Sequence, residues 1–229
     1  MNKLERFFKY FITYEGYKNA LTGLLNTFII AVVGLIIGII IGSIVAVIKL
    51  AGQRNKVAKI LSFIGDAYVL IFRGTPIIVM LLLFHFGVFR GISIPSPWEA
   101  TIVFGLNSGA YVAEIMRGGI QSIDVGQLEA GRTLGLSYTT TMIRVVIPQA
   151  IKNVIPTLGN ELIALIKDTS VAGYVATLNL NQAFEFIAAG TYDYFTAYIF
   201  LAIVYVVVVI ILTVTIKLIE RRLRKSEKR

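Results

Sequence analysis

FIIAVVGLIIGIIIGSIVAVI, residues 28–48, holds no charged side chain over 21 consecutive positions. A helix rises 1.5 Å per residue, so this stretch covers about 31 Å, the thickness of a bilayer's hydrocarbon core. It is too long for the apolar part of a signal peptide and begins well inside the chain, so it reads as a retained crossing. Gly34, Gly38 and Gly42 recur every four residues along it, a small-residue stripe suited to close helix packing. A second stretch, YFTAYIFLAIVYVVVVIILTVTI at residues 194–216, is equally free of charge.

The whole chain agrees with these two stretches. Of its 229 residues 56% are apolar and 15% charged, against about 45–50% and about 25% in soluble domains. Mean hydropathy is +0.78. Disorder and an ordinary soluble fold are excluded, and an all-α polytopic membrane protein is expected. With no cysteine, disulfide scaffolds, thiolate metal sites and cysteine nucleophiles are excluded, and one histidine makes no metal cluster. Lys and Arg number 22 against 13 Asp and Glu, a net charge of +9. In a membrane protein such an excess sets topology, and no nucleic-acid partner is expected.

Three weaker crossings lie between the two strong ones. Residues 57–89 are apolar but interrupted by Asp66 and by Arg73-Gly-Thr-Pro76. Pro76 removes a backbone donor and Gly74 loosens the chain, so one long, broken crossing is expected. Residues 98–117 carry Asn107 and Ser108 near their middle, and residues 150–168 hold Pro156, Gly159, Asn160 and Glu161. The reading is one permease-like domain over 1–229 with five spans, at about 20–49, 57–89, 98–117, 150–168 and 194–218.

Charge placement orients them. Lys49, Arg54, Lys56 and Lys59 flank the first connection, and Arg117, Arg132, Arg144 and Lys152 lie in or beside the third. The tail 217–229 adds seven more cations, whereas residues 171–193 have none. Basic segments stay on the cytoplasmic side. The C-terminus is therefore expected in the cytoplasm and the N-terminus outside, although Lys3, Arg6, Lys9 and Lys18 run against the rule. Leu4, Phe7, Phe8, Phe11 and Ile12 follow a helical period, which describes either an interfacial helix or one packed on its own protein.

No GxxxxGK[ST], GxSxG, HExxH or dinucleotide fingerprint occurs. The chain is not expected to hydrolyse ATP, to bind a metal or cofactor, or to be an enzyme. The connection 118–149 is far longer than the median of about 4–6 residues. Asp124 is placed to cap a short helix that ends in a left-handed turn at Gly135. Ser137 is placed to cap a second helix running to Ile147, before Pro148. Spacing alone leaves two readings open: an amphipathic surface hairpin, or a docking element for a cytosolic protein.

Glu129-Ala130-Gly131, then Gly135 after three residues, then Val145-x-Ile147-Pro148 after nine more, resembles the EAA loop of ABC-importer permeases, EAA-x3-G-x9-I-x-LP. Gly131, Val145 and Ile147 depart conservatively from it. RGTP at 73–76, YVAEIMRGGIQSI at 111–123, GQLEAGRTLGL at 126–136 and NELIALIKDTS at 160–170 are similar to polar amino-acid uptake permeases of the histidine/glutamine/arginine type. The resemblance covers nearly the whole chain. It implies a type I ABC-importer permease fold in the cell membrane. It also implies a partner permease copy, two cytosolic ATPase subunits that bind ATP, and an extracytoplasmic amino-acid-binding protein. In this family the helix around Glu129–Gly135 sits in a groove on the ATPase. Leu128 and Leu136 would then make apolar contacts, Glu129 and Arg132 charge pairs, and Ala130, Gly131 and Gly135 a close approach.

Polar groups inside the spans mark the expected path. An intramembrane charge costs roughly 2.5–3.5 kcal/mol on insertion scales and usually faces a cavity or a partner. Glu161 is the clearest: it either selects a cationic amino acid (arginine, lysine or histidine) in a homodimer, or pairs with Arg73. Asn107 and Asn160 either bind the substrate backbone or bond between helices; Arg73 either meets a substrate carboxylate or pairs within the protein. Glu114 and Arg117, three apart, are expected to pair or gate, and His85 to be packed or interfacial. Glutamine or another polar amino acid is the alternative substrate. An ion-coupled secondary transporter, and an enzyme using Glu114, Glu161 and Asp168 as acids, are the rival classes.

Overall fold

The computed structural model describes residues 2–51 and 56–225. Arg54, Lys228 and Arg229, counted above among the topology-setting cations, lie outside them. Among the described residues every regular element is helical. Helix α1 (Lys3–Phe8) leads through a π-turn into α2 (Gly16–Ala51). Then come α3 (Lys56–Gly74), α4 (Ile77–Leu83) and α5 (Ser96–Gln121). The short helices α6 (Val125–Thr133) and α7 (Tyr138–Thr141) precede α8 (Ile147–Asp168), α9 (Leu180–Thr191) and α10 (Tyr194–Lys225).

The glycine stripe forms the main seam. Gly34 faces Phe104 and Gly105 of α5, and Gly38 faces Ser108 and Gly109. A Cβ at Gly42 would lie 2.7 Å from the Ala113 backbone nitrogen. In return Gly105 receives Ile37, and Gly109 receives Ile41 and the Tyr68 hydroxyl. Small residues on both helices let the backbones touch, which is how van der Waals packing holds helices where lipid supplies no hydrophobic drive. α5 thus becomes the inner helix, with Ala100, Val103, Phe104, Ser108, Ala110, Val112 and Ala113 all buried.

This inner position bears on which crossings stand out by hydropathy alone. Two described helices, Gly16–Leu50 and Tyr194–Leu223, are long and apolar enough to cross a membrane. The pair Lys56–Gly74 and Ile77–Val88, bent by 106°, makes a third if taken as one span. α5 and α8 have 26 and 22 residues, so length is not what they lack. Their polar positions, Glu99, Asn107, Glu114 and Arg117 on one and Lys152, Asn153, Asn160 and Glu161 on the other, hold them below an apolar span. The bend falls at Gly74-Thr75-Pro76, where proline disfavours helix in the residue before it.

A correction concerns Pro148. The helix capped by Ser137 does not stop before it but passes through a π-turn, Met142–Val146, directly into α8. The Ile147 amide bonds back five residues to Met142. The widened turn lies one residue ahead of the proline ring, which otherwise clashes with the preceding turn.

Of the two readings of the N-terminal pattern, packing on the protein itself is seen. Phe7 is 2% exposed and stacks on Phe200 of α10, centroids 4.3 Å apart. Leu4, Phe8 and Ile12 remain exposed. The Arg6 guanidinium donates to the Thr191 carbonyl, and Ser96 Oγ to the Ala176 carbonyl. α1, the start of α5 and residues 169–193 therefore gather at one end of the bundle.

Candidate functional site

At the opposite end stands the 124–141 hairpin. The Asp124 carboxylate accepts the Gly126 amide at 2.8 Å, and Ser137 Oγ accepts the Thr140 amide at 3.2 Å. Both caps sit where the sequence puts them. Gly135 has φ +79°. Around it the Leu136 amide bonds the Gly131 carbonyl and the Gly135 amide bonds that of Arg132, the paired closure of a Schellman motif. Gly131 is buried against Thr141, where a Cβ would sit 2.7 Å from Oγ1. Its close approach is thus to its own hairpin, not to a docked protein. Glu129, Ala130 and Arg132 are exposed and Leu128 is half-buried. Leu134 is 81% exposed against 38% for Leu136. Sequence reasoning missed Leu134; only the αL turn at Gly135 decides which leucine points outward.

The polar groups of the bundle separate into three places. On α8, Glu161 is half-buried and its Oε1 accepts the Ser108 hydroxyl of α5 at 3.1 Å; Asn160, beside it, is exposed. Asn107 is 8% exposed and its amide donates to the Phe72 carbonyl at 2.8 Å, next to the 74–77 break. Arg73 makes no ion pair with Glu161 among the described residues; its guanidinium lies 5.1 Å above the Tyr111 ring, a cation–π geometry. Among the described residues Glu161 bonds Ser108, Asn107 bonds Phe72 and Arg73 lies over Tyr111, so these groups are not joined to one another by a hydrogen bond or ion pair.

The third place is a charge cluster at the hairpin end. The expected Glu114–Arg117 pair is present, with Arg117 Nη2 and Nε 2.6 and 3.1 Å from Oε2. Lys49 joins it, its ammonium 2.7 Å from Glu114 Oε1 and 2.9 Å from Asp66. A cleft lies between α3 and α5, lined by Asp66, Arg73, Tyr111 and Glu114. Glu114 also lines a second cleft at the hairpin root, with Ser122, Asn153 and Thr157. At the other end His85 Nδ1 lies 2.7 Å from Glu99, a buried acid that sequence reasoning did not single out.

A bundle of membrane length, a rigid helical hairpin at one end and charges kept at its inner seams define a polytopic transport subunit. The chain belongs to the family of binding-protein-dependent transport system inner membrane components, which it matches over residues 38–225. It is 34% identical over 216 residues to the probable glutamine ABC transporter permease protein GlnM of Bacillus subtilis (strain 168), covering 94% of this chain and 98% of that one. It is 37% identical over 209 residues to the arginine transport system permease protein ArtQ of the same organism, covering 90% and 93%. The crystal structure of an amino acid ABC transporter with histidines superposes with a TM-score of 0.85 at 34% identity, over 93% of this chain and 98% of that one. The protein is the permease subunit of an amino-acid ABC importer.

Proposed function

We propose that two copies of this chain form the translocation path of an importer for a basic amino acid. Each copy crosses the membrane five times, with the N-terminus outside and the C-terminus in the cytoplasm. The hairpin docks on two cytosolic ATPase subunits, which carry the ATP, and an extracytoplasmic binding protein delivers substrate. ATP-driven closure of the ATPases draws the two hairpins together and rocks the spans between inward- and outward-facing states. Leu128, Glu129, Arg132 and Leu136 make the docking contacts, while Gly131 and Gly135 hold the hairpin's shape. Glu161, Arg73, Asn107 and Asn160 line or shape the path.

The observation that carries the basic-substrate reading is Glu161, a carboxylate midway along α8 whose nearest bonded partner is a neutral hydroxyl, Ser108. Its charge is left for a guanidinium or ammonium, which it attracts more strongly in a partly dry cavity than in water. The ArtQ relative, named for arginine, and the structure with histidines support this reading. The GlnM relative, named for glutamine, favours the second reading, a neutral polar substrate. Glu161→Gln keeps the Ser108 bond and removes the charge. Arginine uptake by the assembled transporter is expected to fall about ten-fold, the effect of losing roughly 1.4 kcal/mol of charge-assisted binding, and citrulline uptake to hold or rise. Arginine carried as well as by the parent would leave Glu161 a helix-bonding residue and favour the neutral substrate.

A further inference from the structure

Among the described residues, α2, α3 and α5 meet by charge at Lys49. It stands in the last turn of α2, 14% exposed, with its ammonium shared between Asp66 of α3 and Glu114 of α5. Glu114 is 20% exposed and is held from its other oxygen by Arg117, which continues the chain of contacts to Gln121 at 2.7 Å. Gly65, next to Asp66, lies against α2, where a Cβ would make ordinary van der Waals contact with Val45 and the Lys49 stem at 3.4 and 3.5 Å. Two carboxylates thus share one ammonium, and Arg117 brings the four charges to neutrality.

The two arms lead to the two places that matter. Arg117 is seven residues before Asp124, where the hairpin begins. Asp66 is seven residues before Arg73, where α3 meets the 106° bend. The seven residues from Asp66 to Arg73 are about 10 Å of helix, and α5 runs on from Arg117 to Gln121, three residues short of Asp124. Among the described residues the other ion pairs, Lys18–Glu15, Glu114–Arg117 and His85–Glu99, do not involve α3, so without Lys49 only the longer-range attraction of Asp66 for Arg117 ties α3 to the hairpin's helix by charge.

Resting on the importer reading above, we propose that Lys49 is a positioning residue of the transport cycle. It clamps α3 to the hairpin-bearing α5, so that movement of the docked hairpin reaches the bend at 74–77 and the Arg73 cleft. Coupling of this kind demands two discrete arrangements biased from both ends; the clamp supplies one, and release of Asp66 from the shared ammonium supplies the other.

Three variants test this in proteoliposomes holding the permease with its ATPase subunits and its binding protein. Lys49→Met leaves Glu114 held by Arg117, so no buried charge is stranded. Asp66→Asn cuts only the α3 arm and leaves the Lys49–Glu114 pair in place. Each is expected to assemble with unchanged basal ATP hydrolysis but to lose at least about five-fold of the hydrolysis stimulated by loaded binding protein, the low end of allosteric coupling factors. The double variant is expected to be no worse than either single one, because both cut the same connection. Lys49→Arg is expected to restore most of the stimulation. Full stimulation in Asp66→Asn, or losses that add in the double variant, would overturn the clamp. An assembly defect in Lys49→Met that Asp66→Asn does not share also overturns it, reducing Lys49 to a folding contact. Failure of the importer reading is distinct, because the parent itself would then show no ATP-dependent uptake.

Discussion

Gly135 holds a backbone angle, φ +79°, that a β-branched side chain resists. Forcing it there costs about 1–2 kcal/mol, and here the cost falls on the Schellman closure that sets the hairpin's docking face. Gly135→Val is therefore expected to reduce copurification of the ATPase subunit and loaded-binding-protein stimulation together, leaving the bundle's helical circular dichroism intact; unchanged stimulation would remove the hairpin from the coupling role. Gly135 was legible from the sequence, as were the Asp124 and Ser137 caps, because each depends on neighbours within a few positions. The Glu114–Arg117 pair was legible for the same reason, three residues being one helix face. Lys49 was legible only as a topology signal. Its partners, Asp66 and Glu114, are brought to it by the folding of three helices, and no local pattern announces that. Gly131 was read as room for a partner; only the fold shows Thr141 already filling the space.

At the scale of elements, the two apolar helices and the glycine seam were plain, because uninterrupted hydrophobicity and a four-residue glycine period have one structural meaning each. α5 and α8 were harder. The polar residues of α5 face neighbouring helices, Asn107 toward Phe72 and Glu114 toward Lys49, whereas α8 turns Glu161 to Ser108 but leaves Asn153 and Asn160 exposed. The helix running through Pro148 was not legible at all, since a π-turn has no sequence signature to set against the proline's. The start of α10 shows another local device. Asp193 accepts the Thr196 hydroxyl at 2.7 Å and the Thr196 amide at 3.3 Å. Those bonds, with Lys3 and Arg6 nearby, hold its carboxyl below the usual carboxylate range. A group lowered in this way contributes stability that is fully present above the unfolded value, about 3.9, and is lost as pH falls from there through the folded one. Asp193→Asn is expected to lower the melting temperature in detergent near neutrality and to flatten the acid limb below about pH 4, where the parent profile falls toward the variant's. A variant profile that falls as steeply as the parent's would show that the cap carries no such linkage.

Across the whole molecule, one end gathers the N-terminal helix, the His85–Glu99 pair and residues 169–193, and the other gathers the hairpin and the Lys49 cluster. This polarity supports an importer that takes substrate from a binding protein on one face and force from an ATPase on the other. A secondary transporter shares the bundle but has no use for a rigid hairpin closed by two caps and a Schellman turn. The separating measurement is uptake of labelled arginine into proteoliposomes containing the permease, its ATPase subunits and external binding protein. The account expects uptake only with ATP at the ATPase side and binding protein at the other, undiminished when ionophores collapse every ion gradient. Uptake that proceeds without ATP and vanishes with an ion gradient would contradict it.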